Sequence, residues 1–230
     1  KWNNKIEIML GYSDSSKESG ALFSRFIIYN TLHSLSKLIK SQGYTPIFFH
    51  GSGGSVARGG GSIEEQISWW PKTARQRFKA TVQGEMIHRS FSSPQILQRQ
   101  IEKIHQGAVK VTTQKMTSEE TKILSKFANS VRLKYLEKVS NVDFLEVVKQ
   151  STPYPFLEHL KIGSRPSKRK KEFNLNSLRA IPWVLCWTQT RVLFPVWWGV
   201  GSSWNDLSET DKQEFRSMFN NNDFLTSFVK

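Results

Sequence analysis

Cysteine is nearly absent: Cys186 stands alone in 230 residues, so no internal disulfide can brace the chain and its stability must come from packing. Cys186 sits inside the apolar run from Ile181 to Trp187, where it reads as a small buried side chain. No apolar run approaches the roughly 20 residues needed to cross a bilayer, and no basic stretch followed by an apolar one opens the chain. These absences predict a soluble, cytoplasmic protein with no membrane partner. Internal repeats and low-complexity tracts are also missing. Acidic residues are scarce, 19 against 33 Lys and Arg, for a formal charge of +14. Such a balance invites a nucleic-acid partner. Its distribution argues against one, because the only dense basic cluster runs from Lys161 to Lys171, and a basic lining serves a small polyanionic substrate equally well.

What is present is the composition of a folded chain, 38% hydrophobic and 23% charged, outside the range of disordered sequences. Eight Trp and fifteen Phe, concentrated towards the two ends, require a substantial buried surface. The length admits one sizeable core or two small ones.

Ile6 to Leu10 reads as a short strand that runs into the turn-like Gly11-Tyr12-Ser13-Asp14-Ser15. Leu22, Phe26, Tyr29, Leu32, Leu35 and Ile39 then keep helical spacing up to Gly43. A second strand, Thr45 to Phe49, enters the glycine-dense stretch His50 to Gly61. Strand, helix and strand in this order form a βαβ unit of an α/β architecture with parallel strands. Ligands gather at the carboxyl ends of such strands, so Asp14, Lys17, His50 and Arg58 are candidates to converge there.

Farther on, a helix begins near Pro94. Thr117 and Glu120 fit a capping box ahead of a face of Ile123, Leu124, Phe127, Val131, Tyr135 and Val139. A shorter helix covers Asp143 to Lys149, and Ser164 to Asn176 reads as an exposed loop. Ile181 to Thr188 has strand-like apolar and aromatic content, and a second apolar segment ends at Gly199. A last helix starts at Ser208, with Asp211 three residues into its first turn and Phe215 and Phe219 on one side. That makes three strands, or four with Ala80 to Gly84, short of the eight a closed barrel needs. A portion missing upstream of the chain is the expected reason.

The residues that can carry chemistry have bland readings beside functional ones. Asp14 is either a turn or cap carboxylate or one ligand of a hard divalent ion, which takes one or two carboxylates plus water and substrate oxygens. The run from His50 to Gly61 holds six glycines in twelve positions. They allow the backbone to approach a ligand closely and to open N–H groups to an anion; otherwise the run is a surface linker. It is no P-loop, because no Gly-Lys-Ser/Thr follows. Arg58 adds a fork of donors suited to phosphate or carboxylate. Arg179 and Arg191 bracket an apolar run, either as charged edges or directed into a pocket.

Five stretches taken together resemble the phosphoenolpyruvate carboxylase family. They are Met9 to Gly20 (MLGYSDSSKESG), Phe49 to Gly61, Val82 to Ile87 (VQGEMI), Gly163 to Arg169 (GSRPSKR), and Ser177 to Trp197 with its SLRAIPW, WTQTR and PVW segments. They occur in the family's order and span nearly the whole chain. The resemblance implies an α/β fold with predominant helix, here the C-terminal portion of a (β/α)8 TIM barrel, incomplete at both ends. It implies a lyase of carbon dioxide fixation in an anaplerotic role beside the tricarboxylic acid cycle. Phosphoenolpyruvate and bicarbonate would give oxaloacetate and phosphate, with Mg2+ or Mn2+ as cofactor and a homotetramer as the complete assembly. Carried over by motif, Asp14 resembles the metal ligand, Lys17 an electrostatic support, and His50 a catalytic pocket residue. Arg58 resembles the loop arginine that contacts anionic intermediates, and Arg179 and Arg191 the arginines that bind substrate phosphate.

One departure stands out. Where the family loop reads Gly-Arg-Gly-Gly this chain has Gly51-Ser52-Gly53-Gly54, replacing a catalytic guanidinium with a neutral hydroxyl; a milder change puts Ala57 in place of a glycine. Clamps of that kind are worth several orders of magnitude in rate, so an impaired, carboxylase-like binding module is the alternative expectation. The family's upstream histidine, a further substrate arginine and the glutamate that shares the metal are not in the segment. It also stops before the carboxyl-terminal region that completes the inhibitor site. The isolated chain is therefore expected to be inactive, its missing catalytic portion coming from the same or a companion chain.

Overall fold

The computed structural model describes residues 3–53, 55–56, 59–82, 84–109, 116–157, 159–160, 174, 177–188, 190, 192 and 194–229. Three strands, β1 (Lys5–Gly11), β2 (Thr45–Gly51) and β3 (Phe78–Ala80), pair in parallel in the order β1-β2-β3. Between β1 and β2 lie α1 (Ser13–Ser19) and α2 (Ala21–Ser41); between β2 and β3 lie α3 (Ile63–Trp69) and α4 (Lys72–Gln76). Helices follow: α5 (Gly84–Phe91), α6 (Pro94–Val109), α7 (Ser118–Val139), α8 (Val142–Ser151) and α9 (Tyr154–Leu157). The last are α10 (Ala180–Thr188), α11 (Phe194–Trp197), α12 (Val200–Asn205), α13 (Glu209–Asn221) and α14 (Asp223–Val229). The described residues are thus predominantly helical around a small parallel sheet, and they form no closed barrel. None of their helices is long and apolar enough to cross a membrane.

The sheet follows from alternation. In β2, Pro46, Phe48 and His50 are buried and the residues between them are not, the period-2 signature of a strand with one face on a core. Glu7 and Lys79 form an ion pair at 2.7 Å between the strands that flank β2.

Two apolar cores share one spine. Ile123, Leu124, Phe127, Ala128 and Val131 of α7 pack with Leu22, Phe26 and Leu32 of α2 and with Trp69, Phe215 and Phe224. One turn later, Tyr135 and Val139 of the same helix enter a second cluster with Leu145, Trp183, Trp187 and Phe194. α7 begins in the expected capping box: Glu120 N–H donates to Thr117 Oγ1 and Thr117 N–H to the Glu120 carboxylate. The start of α13 is also as expected, with Ser208 accepting from Asp211 N–H. Arg25 ties α14 to α2. Its guanidinium donates to Ser227 Oγ at 2.6 Å and lies 5.0 Å from the Trp69 ring, where burial lowers its pKa to about 10.

Several expectations are corrected. The segment Ile181 to Thr188 is not a strand but part of α10, buried on almost every side through Pro182, Trp183, Val184, Cys186 and Trp187. A short, uniformly apolar run carries no period that separates helix from strand. Pro182 is tolerated because first-turn N–H groups have no intrahelical acceptor. The turn after β1 is instead helix α1, set apart from α2 by Gly20 at φ 75°. The fourth strand is three residues, Phe78–Ala80, while Gly84 opens α5. Cys186 is fully buried, and that burial pushes its thiol up to about 12, as an inert core thiol requires. The basic run 161–171 lies outside the described residues.

Candidate functional site

β1 and β2 end side by side, with Leu10 opposite His50 and Gly11 opposite Gly51. This register carries Tyr12, the residue after β1, to the end of β2. The Tyr12 hydroxyl and His50 Nδ1 share a hydrogen bond of 2.6 Å. Trp70 stacks on a face of the imidazole, ring centres 3.5 Å apart and planes 10° from parallel. Phe48 and the edge of Phe78 enclose it further. His50 is completely buried, and desolvation lowers its pKa to about 3. It is therefore a neutral imidazole at pH 7. Burial also pushes the Tyr12 phenol above its ordinary range, so Tyr12 keeps its proton. With that O–H donating to Nδ1, the His50 proton sits on Nε2, an atom that has no hydrogen-bond partner among the described residues.

A pH dependence follows. The unfolded imidazole takes up a proton near pH 6.5, the folded one only near 3, so between these values the unfolded state binds more protons. Stability is full above pH 6.5 and falls by about 1.4 kcal/mol per pH unit as pH drops towards 3. Urea unfolding of the wild type and of His50→Gln at pH 7 and pH 5 checks this: the variant is expected to lose less stability on acidification.

The glycine loop folds back onto β1. Gly60 N–H donates to Ser55 O at 2.8 Å and Gly59 N–H to Val56 O at 2.9 Å. A Cβ on Gly60 would fall 1.8 Å from Gly53 O, and Gly59, at φ 71°, leaves no room against Tyr12 Cβ. Ser62 closes the loop with a capping box at the start of α3, so the described residues of the run are held by contacts and do not form a surface linker. Ser52 is buried, 5% exposed, beside it.

Asp14 occupies the first turn of α1 and is exposed, a placement that favours a carboxylate through the helix dipole. Lys17, one turn on, is buried; its Nζ donates to Leu178 O at 3.2 Å and pairs with Glu18 at 3.3 Å. The Lys17 carbonyl accepts from the Tyr135 hydroxyl at 2.6 Å, and that oxygen accepts from Trp183 Nε1 at 3.2 Å. α1 is thereby locked to the entry of α10, where Arg179 follows Leu178. Arg179 is partly buried, and its carbonyl accepts from Trp183 N–H.

The structure thus brings the Asp14–Lys17 turn, the His50 strand end, the glycine loop and the Arg179 corner to one end of the sheet. Arg58 and Arg191 lie outside the described residues. Among the described residues no group of three His, Cys, Asp or Glu side chains is placed to hold a metal. Asp14 fits a hard divalent ion as one oxygen ligand, and His50, neutral and enclosed, adds none. In the sequence Tyr12 reads as a turn residue, Tyr135 as one of a helix face and Trp183 as part of a motif, none with a role in the site, and Trp70 is not singled out. Their partners lie 38 residues away for Tyr12 and 118 for Tyr135, and no local pattern marks them.

A family model described as phosphoenolpyruvate carboxylase matches residues 1–230. The phosphoenolpyruvate carboxylase of Thermosynechococcus vestitus is 37% identical over 218 residues, which cover 92% of this chain and 22% of that protein. That of Synechocystis is 37% identical over 215 residues, 90% of this chain and 21% of the relative. That of Corynebacterium glutamicum is 36% identical over 208, 87% and 23%. The chain spans about a fifth of the length of the curated relatives it matches. With the matched model running from the first residue to the last, the chain belongs to the phosphoenolpyruvate carboxylase family, a family of carboxy-lyases.

Proposed function

We propose that the whole protein carboxylates phosphoenolpyruvate with bicarbonate to oxaloacetate and phosphate, and that these 230 residues supply one wall of its active site. The observation that carries the reading is the closure of the glycine loop against Tyr12, which precedes α1, and Ser16 of α1, the short helix that presents Asp14 and is tied through Lys17 to the Arg179 corner. Bicarbonate attacks phosphorus, the enolate of pyruvate leaves, and carbon dioxide released from the carboxyphosphate captures the enolate carbon. Charge therefore develops on phosphate and on the enolate oxygen, and fixed donors at those places accelerate the reaction.

In this reading Arg58, Arg179 and Arg191 bind and orient the phosphorylated acid. Lys17 is a positioning residue that holds α1 against α10. His50, kept neutral by its aromatic box, offers one N–H and no charge. Asp14 is one ligand for Mg2+ or Mn2+, which when bound supplies Lewis-acid polarisation of the substrate's oxygens. The other ligand, the other catalytic groups and the homotetramer belong to the rest of the protein.

Ser52 favours a second reading, a carboxylase-like protein that binds the substrate without turning it over, because a buried hydroxyl stands where the resemblance expects a guanidinium. The test uses the full-length protein with Mg2+, phosphoenolpyruvate and bicarbonate, oxaloacetate being followed by its reduction. Steady turnover is expected, with Asp14→Asn lowering kcat by about 100-fold or more. No oxaloacetate, together with calorimetric binding of phosphoenolpyruvate and Mn2+, would replace this reading with the second.

A further inference from the structure

A cavity of about 660 Å³ opens between the later half of α2, α4 and the start of α7. α2 runs from the end of β1 back to the start of β2, roughly 30 Å for its length, so this cavity lies near the amino ends of the strands, away from the site above. Its charged lining is Lys37 and Lys40, with His33 beside them, and no acidic side chain among the described residues lines it. Hydroxyls of Ser36, Ser118 and Thr121 are among its other polar groups.

Ser36 is the telling residue. It is 6% exposed and its Oγ has no hydrogen-bond partner among the described residues. A mid-helix serine ordinarily returns its O–H to the carbonyl one turn back, and a buried hydroxyl left unpaired is destabilising. The start of α7 faces the same space. Its capping box satisfies the N–H groups of Thr117 and Glu120, leaving those of Ser118 and Glu119 without an intrahelical acceptor at the positive end of a 22-residue helix. Two acidic groups stand at this edge: Glu120 is held on Thr117 N–H at 2.7 Å, and Glu119 lies 3.8 Å from Lys122 Nζ.

Among the described residues the lining has lysines and hydroxyls but no arginine fork. Point cations with hydroxyl donors approach a tetrahedral anion from several directions, whereas planar carboxylates are matched best by guanidinium. We propose that this cavity binds the phosphate group of a small phosphorylated molecule, held by Lys37, Lys40, Ser36 and the first turn of α7, as a site separate from that at the strand ends.

The test reads the two exposed lysines directly, independently of activity. Full-length protein is acetylated with an amine-reactive ester at constant ionic strength, with and without inorganic phosphate, and the rate at each lysine is followed by mass spectrometry. Phosphate is expected to slow Lys37 and Lys40 saturably by at least about threefold, leaving Lys126 and Lys149 unchanged. Ser36→Ala is expected to raise the phosphate concentration giving half protection by about fivefold or more. Four outcomes would overturn the proposal: no saturable protection, equal slowing at Lys126 and Lys149, equal protection by succinate, or unchanged protection in Ser36→Ala. A fifth, lysines unreactive even without phosphate, would show the cavity filled by the rest of the protein and would equally end it.

Discussion

Full-length protein carrying Gly60→Ala is expected to lose about 100-fold or more in turnover while keeping its helical circular dichroism, because misplacing catalytic groups by about 1 Å has that effect. The added methyl would lie 1.8 Å from the Gly53 carbonyl oxygen and 3.1 Å from that of Ser55. Both are backbone atoms, which cannot swing aside as a side chain can. The loop must open, and with it goes the contact of Gly59 with Tyr12 and Ser16 that seats it on the end of β1. Gly43→Ala is the matched control. Gly43 has φ 77° but nothing within 4 Å of an added Cβ, so it is expected to cost about 1 kcal/mol of stability with turnover unchanged. Steady-state kinetics of the pair decide the matter: equal turnover in Gly60→Ala and wild type would mean that loop closure is irrelevant to the reaction.

The largest loss of stability is expected from Trp183→Ala, about 3–5 kcal/mol. Trp183 is fully buried, and its ring meets the rings of Trp187 and Phe194 edge to face. Its N–H is the last link of the chain that runs through Tyr135 to the Lys17 carbonyl. Tyr135→Phe removes only the hydroxyl of that chain, leaving one buried donor and one buried acceptor unpaired, for about 1–3 kcal/mol. Denaturant unfolding of both variants should place them in that order. Were Tyr135→Phe the more damaging, the hydrogen bonds rather than the packed rings would hold α1, α7 and α10 together.

Local signals made much of the architecture legible. Ile6 to Leu10 and Thr45 to Phe49 declare themselves as strands through apolar, β-branched and aromatic content, and Thr117 with Glu120 marks a helix start because capping is a contact of neighbours along the chain. The same locality explains the failure at Ile181 to Thr188. Nearly every residue there is apolar, so both periods fit, and the segment becomes helix because the second core accepts Trp183 and Trp187 on the faces a helix presents. His50 was legible as a residue of interest, but not as a neutral one. Its state depends on Trp70 and Tyr12, brought to it by the β1–β2 register and by α3. The resemblance implies an electrostatic support at Lys17; only the fold shows that its ammonium meets Leu178 O and Glu18.

By itself, then, the amino-acid sequence determined the βαβ beginning, the caps, the buried cysteine, the glycine loop and the family, all of which rest on residue type at short spacing or on ordered motifs. The tertiary structure alone decided which groups are charged, which are buried and which meet. Those depend on desolvation and on contacts across 38 to 161 residues, set by how strands register and helices pack.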